Sequence, residues 1–307
     1  MAPRRGGGGG YSSGSLSDSC PGGFDTWFSQ ASIAFPALYC VVFLVFFFLT
    51  GRRARKAKAS GLAQFLTYLS LTFAFVHVVL QIVLVALAQC RRIDSISYSA
   101  GSMASAWMNS LMYYSLFVLI LAPICSRVNN GSPPVKIVTT MVLALLGVVM
   151  IVYLSLNTRL VHGTMAGDYD VQIKYFVHTI RLGTAYNAVE LVAMLVAAGL
   201  ILSAMSRAPH LRAKPIFISL VALVLSAVGV GAINLATNIT NSYTRTRFYT
   251  ESAVASYMAQ VFLQYFFYSC ALLSAVYVWS SDQLDGGRFS VPPPPSPPQY
   301  PGDMRPF

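Results

Sequence analysis

Residues 62–88 read LAQFLTYLSLTFAFVHVVLQIVLVALA and contain no Asp, Glu, Lys or Arg. An α-helix needs about 20 predominantly apolar residues to cross a hydrocarbon core about 30 Å thick. This stretch therefore predicts a membrane-spanning helix. A strand of a membrane barrel would alternate polar and apolar residues, and this stretch does not.

Six further runs of the same kind flank this stretch. The seven predicted spans are Ala31–Thr50, Leu62–Ala88, Met103–Ile124, Val138–Leu156, Thr184–Met205, Ile216–Ala236 and Ser252–Trp279. We predict an all-α, polytopic membrane protein with a seven-transmembrane-helix bundle at residues 31–280. A flexible Gly/Ser-rich tail at residues 1–30 precedes the bundle, and a Pro-rich tail at residues 281–307 follows it. We expect the long connection Asn157–Gly183 to fold over one end of the bundle.

Composition excludes several classes of protein. Only 10% of the 307 residues are charged, against about 25% in an ordinary globular protein. Soluble enzymes and nucleic-acid-binding modules are therefore set aside, and the lipid bilayer is the expected partner. The net charge of +11 is interpreted as a topological signal plus attraction to anionic lipid. No zinc-ligand spacing or nucleophile–base pair is present in the sequence, so we expect neither an enzyme nor a cofactor or metal.

The distribution of basic residues predicts the orientation. The first, third and fifth loops hold ten Lys and Arg residues, and the even-numbered loops hold seven. Lys and Arg are enriched in cytoplasmic loops. We therefore expect the N-terminus outside and the C-terminus in the cytoplasm, in the plasma membrane.

Two further features lie on the predicted outer side. Asn238-Ile239-Thr240 is an N-glycosylation sequon in an expected loop, which makes Asn238 a glycosylation candidate. Cys20 and Cys90 also map outside, where a disulfide persists. Two unpaired cysteines are the alternative interpretation.

Polar side chains within the spans cluster toward the predicted outer half. Such groups are costly in hydrocarbon and usually face the bundle interior or a wet cavity. The candidates for lining a ligand cavity are His77, Gln81, Asn109, Tyr113, Asn187, Glu190, Gln260 and Gln264. The alternative is that they form hydrogen bonds between helices, each worth about 1 kcal/mol or less.

Glu190 is the strongest of these candidates because it is the only acid in any predicted span. A buried carboxylate needs protonation or a partner. His77 is the ionisable side chain available deep in another span, and a cationic or hydrogen-bonding ligand is the other option.

The C-terminal tail carries a possible docking motif. Pro297-Pro298-Gln299-Tyr300 matches the Pro-Pro-x-Tyr pattern that WW domains recognise. It resembles the motif that brings Nedd4-type ubiquitin ligases to membrane cargo. A WW-domain protein is thus a candidate partner of Pro297, Pro298 and Tyr300, and an inert spacer is the alternative.

The architecture resembles that of heptahelical receptors, and the Gly- and Pro-rich tails are similar to those of uncharacterised fungal seven-span membrane proteins. The predicted third span is followed by Cys125-Ser126-Arg127 and not by the acid-Arg-aromatic triplet that rhodopsin-like receptors carry at this place. The resemblance implies a receptor-like sensor that binds a small ligand in an outward-facing cavity. A transporter or lipid-handling protein is the alternative, and its path should continue polar residues through the inner half of the spans.

Overall fold

A computed structural model describes residues 27–55, 61–90, 92–212, 214–243 and 251–281. Cys20 and the motif residues Pro297, Pro298 and Tyr300 lie outside the described residues. The WW-binding prediction for the tail therefore stays a prediction.

Seven long helices account for nearly all of the described chain. They are α1 (Trp27–Ala54), α2 (Gly61–Gln89), α3 (Ser95–Val128), α4 (Pro133–Met165), α5 (Tyr169–Arg207), α6 (Lys214–Tyr243) and α7 (Glu251–Trp279). Each contains one predicted span and is long and apolar enough to cross a membrane. The described ranges contain no strand. The prediction of an all-α seven-helix bundle is confirmed, and the chain is a multi-pass membrane protein.

Large apolar side chains cover the outer surface of the bundle. Phe48 is 70% exposed, and Met141 and Leu225 are each 67% exposed. A soluble protein rarely leaves extended apolar patches in water. These faces are suited to contact with lipid.

Consecutive helices pack against each other, and α1 contacts α7 to close the ring. Besides its neighbours α2 and α4, α3 also contacts α7 across the interior of the bundle. The C-terminal half of α3 is packed among apolar side chains. Leu119, Ile120 and Leu121 are fully buried, and Ile124 is 1% exposed.

A π-helical turn interrupts α3 at Ile120–Ile124, where Pro123 supplies no N–H. The N–H of Cys125 donates to the carbonyls of Ile120, five residues earlier, and Ala122, and not to that of Leu121, four residues earlier. Short π turns of this kind occur where a helix accommodates a proline or an extra residue.

Asp94 caps the start of α3. Its Oδ2 accepts hydrogen bonds from the backbone N–H groups of Ile96 at 3.2 Å and Ser97 at 3.1 Å. A helix start leaves such N–H groups without partners, and Asp is among the residues that satisfy them best. The hydrogen bonds from Ser97 hold the pKa of the Asp94 carboxyl below its ordinary value.

The prediction that Asn157–Gly183 forms a loop is wrong. Helix α4 continues through Met165, and α5 begins at Tyr169 after a turn in which Gly167 has a φ of +70°. The segment carries polar and charged side chains, which lower its hydropathy. Low hydropathy indicates that a segment is poorly suited to contact with lipid. It does not indicate that the helix has ended.

Two contacts join the helix ends at the opposite end of the bundle from the start of α1. Arg127 Nη1 donates to the carbonyl of Trp279 at 2.8 Å. The guanidinium of Arg53 lies 4.1 Å from the ring centre of Tyr277, within cation–π range. These contacts tie α7 to α3 and to α1 at that end.

Candidate functional site

A cavity of about 420 Å³, the large chamber, lies between α1, α2, α3 and α7. Six aromatic residues line it, together with polar side chains. The aromatic residues are Phe28, Phe35, Tyr98, Tyr113, Tyr257 and Tyr265, and the main polar ones are His77, Gln81, Gln89, Asn109 and Gln264. Neither α4 nor α5 contributes to this lining, so the expected roof from residues 157–183 does not form over it.

The large chamber reaches the surface at the end of the bundle where α1, α3 and α7 begin. Phe28, Tyr98 and Tyr257 in its wall are 37%, 42% and 36% exposed. Deeper in the bundle, Tyr113 is 3% and Tyr265 is 5% exposed. The chamber is therefore open at one end and closed at depth.

A second cavity of about 120 Å³, the small chamber, lies between α3, α4, α5, α6 and α7. Its polar lining consists of Asn109, Ser110, Tyr113, Tyr153, Tyr186, Asn187, Glu190, Asn234 and Gln264. Asn109, Tyr113 and Gln264 line both chambers. These three side chains lie where the two spaces adjoin.

Glu190 lies at the small chamber and is 1% exposed. Its Oε2 accepts a hydrogen bond from Asn234 Nδ2 at 3.1 Å, and Asn234 Oδ1 accepts one from Gln264 Nε2 at 2.6 Å. The chain of bonds joins α5, α6 and α7, and it directs the amide nitrogen of Asn234 toward the carboxylate.

Two fully buried oxygen atoms at this chamber, Glu190 Oε1 and Tyr186 Oη, make no short hydrogen bond within the described part of the chain. The two residues face each other, since the Tyr186 hydroxyl makes a long hydrogen bond to the Glu190 carboxylate. Tyr186 stacks on Tyr153 with ring centres 5.7 Å apart, which fixes the plane of the phenol ring. A buried polar atom without a partner is costly, and such atoms often mark a functional site.

His77 does not meet Glu190, contrary to the pairing considered from the sequence. Its Nδ1 lies 2.9 Å from Ser105 Oγ and 3.0 Å from the carbonyl oxygen of Ser105. Gln81 Nε2 donates to the same Ser105 Oγ at 2.8 Å. His77 and Gln81 thus bind α2 to α3 in the wall of the large chamber.

Below the two chambers, Ser70 connects three helices. Its hydroxyl donates to the carbonyl of Met112 at 3.1 Å and lies 2.7 Å from the hydroxyl of Tyr268. The Tyr268 ring meets Phe43 and Tyr113 edge-on, each at 5.7 Å between ring centres. The role of Ser70 is not visible in the sequence, because a serine in an apolar helix commonly bonds its own backbone and gives no signal of a contact between helices.

The structure brings seven of the eight predicted cavity residues to the two chambers. Asn187 is among them, and its Nδ2 donates to the carbonyl of Gly183 at 2.7 Å. Gln260 lines neither chamber, and its Oε1 is buried without a partner among the described residues.

Asn238 lies within α6, so its assignment to a loop is wrong. Its Oδ1 accepts a hydrogen bond from Thr184 Oγ1 at 2.9 Å, which places the side chain between α5 and α6. Glycosylation of Asn238 stays a prediction.

The cysteines divide into two groups. Cys90 is disulfide-bonded, whereas Cys40, Cys125 and Cys270 are free. The pairing of Cys90 with Cys20 stays a prediction because Cys20 lies outside the described residues. The described ranges contain no group of three or more His, Cys, Asp or Glu side chains that could hold a metal ion.

Comparison of the chain with protein families, curated proteins and solved structures finds no match.

Proposed function

We propose that the protein is a receptor-like membrane sensor that binds a small ligand in the two adjoining chambers. The observation that carries this proposal is the one-sided cavity: its polar lining begins at the exposed end and stops above Ser70. A cavity of a few hundred Å³ with apolar walls and a few convergent polar groups is typical of a small-molecule site.

The ligand enters from the end at which α1 begins. With the orientation inferred from the basic residues, this end faces the outside of the cell and the C-terminus lies in the cytoplasm. The plasma membrane is the expected location, and the Pro-Pro-x-Tyr tail would then be available to a cytoplasmic WW-domain protein.

A transporter or lipid-handling protein is the alternative function. Its substrate needs a second polar opening, and intramembrane polar groups mark such paths. Leu119, Ile120 and Leu121 in α3 are fully buried where the path would continue. The close packing in this half of the bundle favours the sensor.

A ligand screen followed by a flux measurement tests the proposal. Small molecules that raise the melting temperature of the purified protein are first tested against Gln81→Leu, which changes the chamber wall, and against Ser206→Ala as the control. We expect Gln81→Leu to weaken binding of the selected molecules and Ser206→Ala to leave it unchanged.

The same molecules are then offered to proteoliposomes that contain the protein. A sensor binds them without moving them across the bilayer. Accumulation inside the vesicles, above that in protein-free vesicles, would overturn the sensor and establish transport.

A further inference from the structure

We propose that the two chambers divide the ligand between them, so that the protein recognises a small organic amine. The ammonium group lies in the small chamber beside Glu190, and the apolar or aromatic body of the molecule fills the large chamber. This inference rests on the proposed function and names the chemical class of its ligand.

The first argument is the chemistry around Glu190. One carboxylate oxygen accepts from Asn234, and the other, Oε1, makes no short hydrogen bond among the described residues. The remaining partner of the carboxylate is the neutral Tyr186 hydroxyl. The small chamber contains no Lys, Arg or His in its described lining. The remaining ionisable groups that line it are the phenols of Tyr113, Tyr153 and Tyr186, and none of these supplies positive charge.

The second argument is that the carboxylate is held as an acceptor. Gln264 donates to Asn234 Oδ1, which leaves the Asn234 amide nitrogen facing Glu190. Burial makes an ionised Glu190 costly without a cation beside it, and an ammonium group supplies both the charge and further donors to the carboxylate. Tyr186 Oη, buried beside the same carboxylate, accepts a further N–H from the ammonium group.

The third argument is size and wall chemistry. The small chamber, about 120 Å³, accommodates a headgroup but not a whole drug-sized molecule, and the large chamber is about 420 Å³. The six aromatic side chains of the large chamber present ring faces and edges that bind an apolar body. Asn109, Tyr113 and Gln264, which line both spaces, mark where the ammonium group meets the body of the ligand.

The test uses a matched pair of probe molecules, phenethylamine and 2-phenylethanol. Both molecules have the same aromatic body. Phenethylamine carries a charged ammonium group where 2-phenylethanol carries a neutral hydroxyl. Binding of each to the purified full-length protein is measured from the concentration dependence of the melting temperature, because a ligand that binds the folded state stabilises it. The variants are Glu190→Gln, which keeps the shape and removes the charge, and Asp170→Asn, which removes an exposed acid from the same helix.

We expect phenethylamine to bind the wild type at least about tenfold more tightly than 2-phenylethanol, which corresponds to one charge-assisted hydrogen bond. Glu190→Gln should remove that preference, and Asp170→Asn should retain it. Equal affinity of the two molecules for the wild type would overturn the inference, as would a preference that survives Glu190→Gln. The comparison in the wild type requires no variant, so the inference stays falsifiable if Glu190→Gln does not fold.

An inorganic cation is the competing occupant of the small chamber. Exchange of KCl for NaCl at constant ionic strength should leave the melting temperature unchanged. Stabilisation by Na⁺ that is lost in Glu190→Gln, without any effect of phenethylamine, would overturn the inference in favour of an ion site.

The failure of this inference and that of the proposed function are distinguishable. If both molecules bind with equal affinity and Gln81→Leu weakens the binding of both, the cavity binds small ligands and only the assignment of an amine as the ligand is wrong. If phenethylamine accumulates in proteoliposomes, the sensor is wrong and the amine site belongs to a transporter.

Discussion

Glu190 on α5 and Asn234 on α6 are joined by a hydrogen bond of 3.1 Å between Oε2 and Nδ2, in the interior of the bundle. The same side-chain amide also accepts a hydrogen bond from Gln264 Nε2 at its oxygen, Oδ1. Asn234 therefore links Glu190 of α5 to Gln264 of α7.

Replacing Asn234 with Leu should destabilise the protein by about 1–3 kcal/mol, because the carboxylate and Gln264 lose their partner in a buried place. The melting temperature of the purified variant, followed by tryptophan fluorescence, measures this. The double variant Asn234→Leu with Glu190→Leu should recover part of the loss, since replacing both partners by apolar groups avoids an unpaired charge. An Asn234→Leu variant as stable as the wild type would contradict the network.

Ser70→Ala should cost about 1 kcal/mol, because it removes the side-chain bonds from α2 to the Met112 carbonyl of α3 and to the Tyr268 hydroxyl of α7. The bond from Tyr268 Oη to the Ser70 backbone carbonyl at 3.1 Å remains. The matched control is Ser206→Ala, whose exposed hydroxyl donates only to the nearby Ser203 carbonyl at 2.8 Å. Thermal unfolding should show a loss for Ser70→Ala alone. Equal melting temperatures for the two variants would show that Ser70 is not a link between helices.

Gly231→Ala should push α5 and α6 apart. A Cβ at Gly231 would lie 2.9 Å from Leu191 Cα, a backbone atom next to Glu190 in sequence. Small residues allow this close approach of helices. We expect a lower melting temperature and weaker ligand binding.

The control for Gly231→Ala is Gly199→Ala on α5, where an added Cβ meets nothing within 4 Å. Alanine is the better helix former by about 1 kcal/mol, so this variant should be at least as stable as the wild type. Equal losses at the two glycines would contradict the close contact at Gly231.

The start of α3 should become less protected in acid. The folded pKa of Asp94 is below its ordinary value, so its cap contributes fully above that ordinary value and is lost as the pH falls through the lower, folded pKa. Hydrogen exchange of the Ile96 and Ser97 amides, corrected for the intrinsic rate, should show this loss. Asp94→Asn keeps a capping oxygen without the titration, so its protection should not depend on pH; an identical pH dependence in the variant would exclude Asp94 as the cause.

Hydropathy and polar spacing predicted the seven spans and most of the cavity lining, because burial in lipid demands long apolar helices whatever their neighbours. They did not predict which helices face each other. His77 bonds Ser105 instead of Glu190, and Gln260 lies outside both chambers although it shares a face with Gln264. Contacts between helices depend on helix rotation and crossing, which the periodicity of a single helix does not contain.

The two wrong assignments share one cause. The polar stretch between Asn157 and Gly183 and the sequon at Asn238 were both interpreted as loops, yet both lie in helices. A helix continues beyond the hydrocarbon when its backbone bonds are satisfied internally, and polar side chains there are at no disadvantage.

The most direct test of the central claim is thiol labelling of the large chamber in intact cells. Val85 on α2 lines the chamber, and Val83, two residues away on the same helix, is 45% exposed on the outer surface of the bundle. Each is replaced by Cys in a background in which the free Cys40 and Cys270 are replaced by Ala, and the cells are treated with a membrane-impermeant thiol reagent. If the large chamber opens to the outside, Val85→Cys reacts in intact cells, whereas Val83→Cys and the background do not. Reaction of Val85→Cys only after permeabilisation would contradict the outward-facing cavity, because the chamber would then open to the cytoplasm.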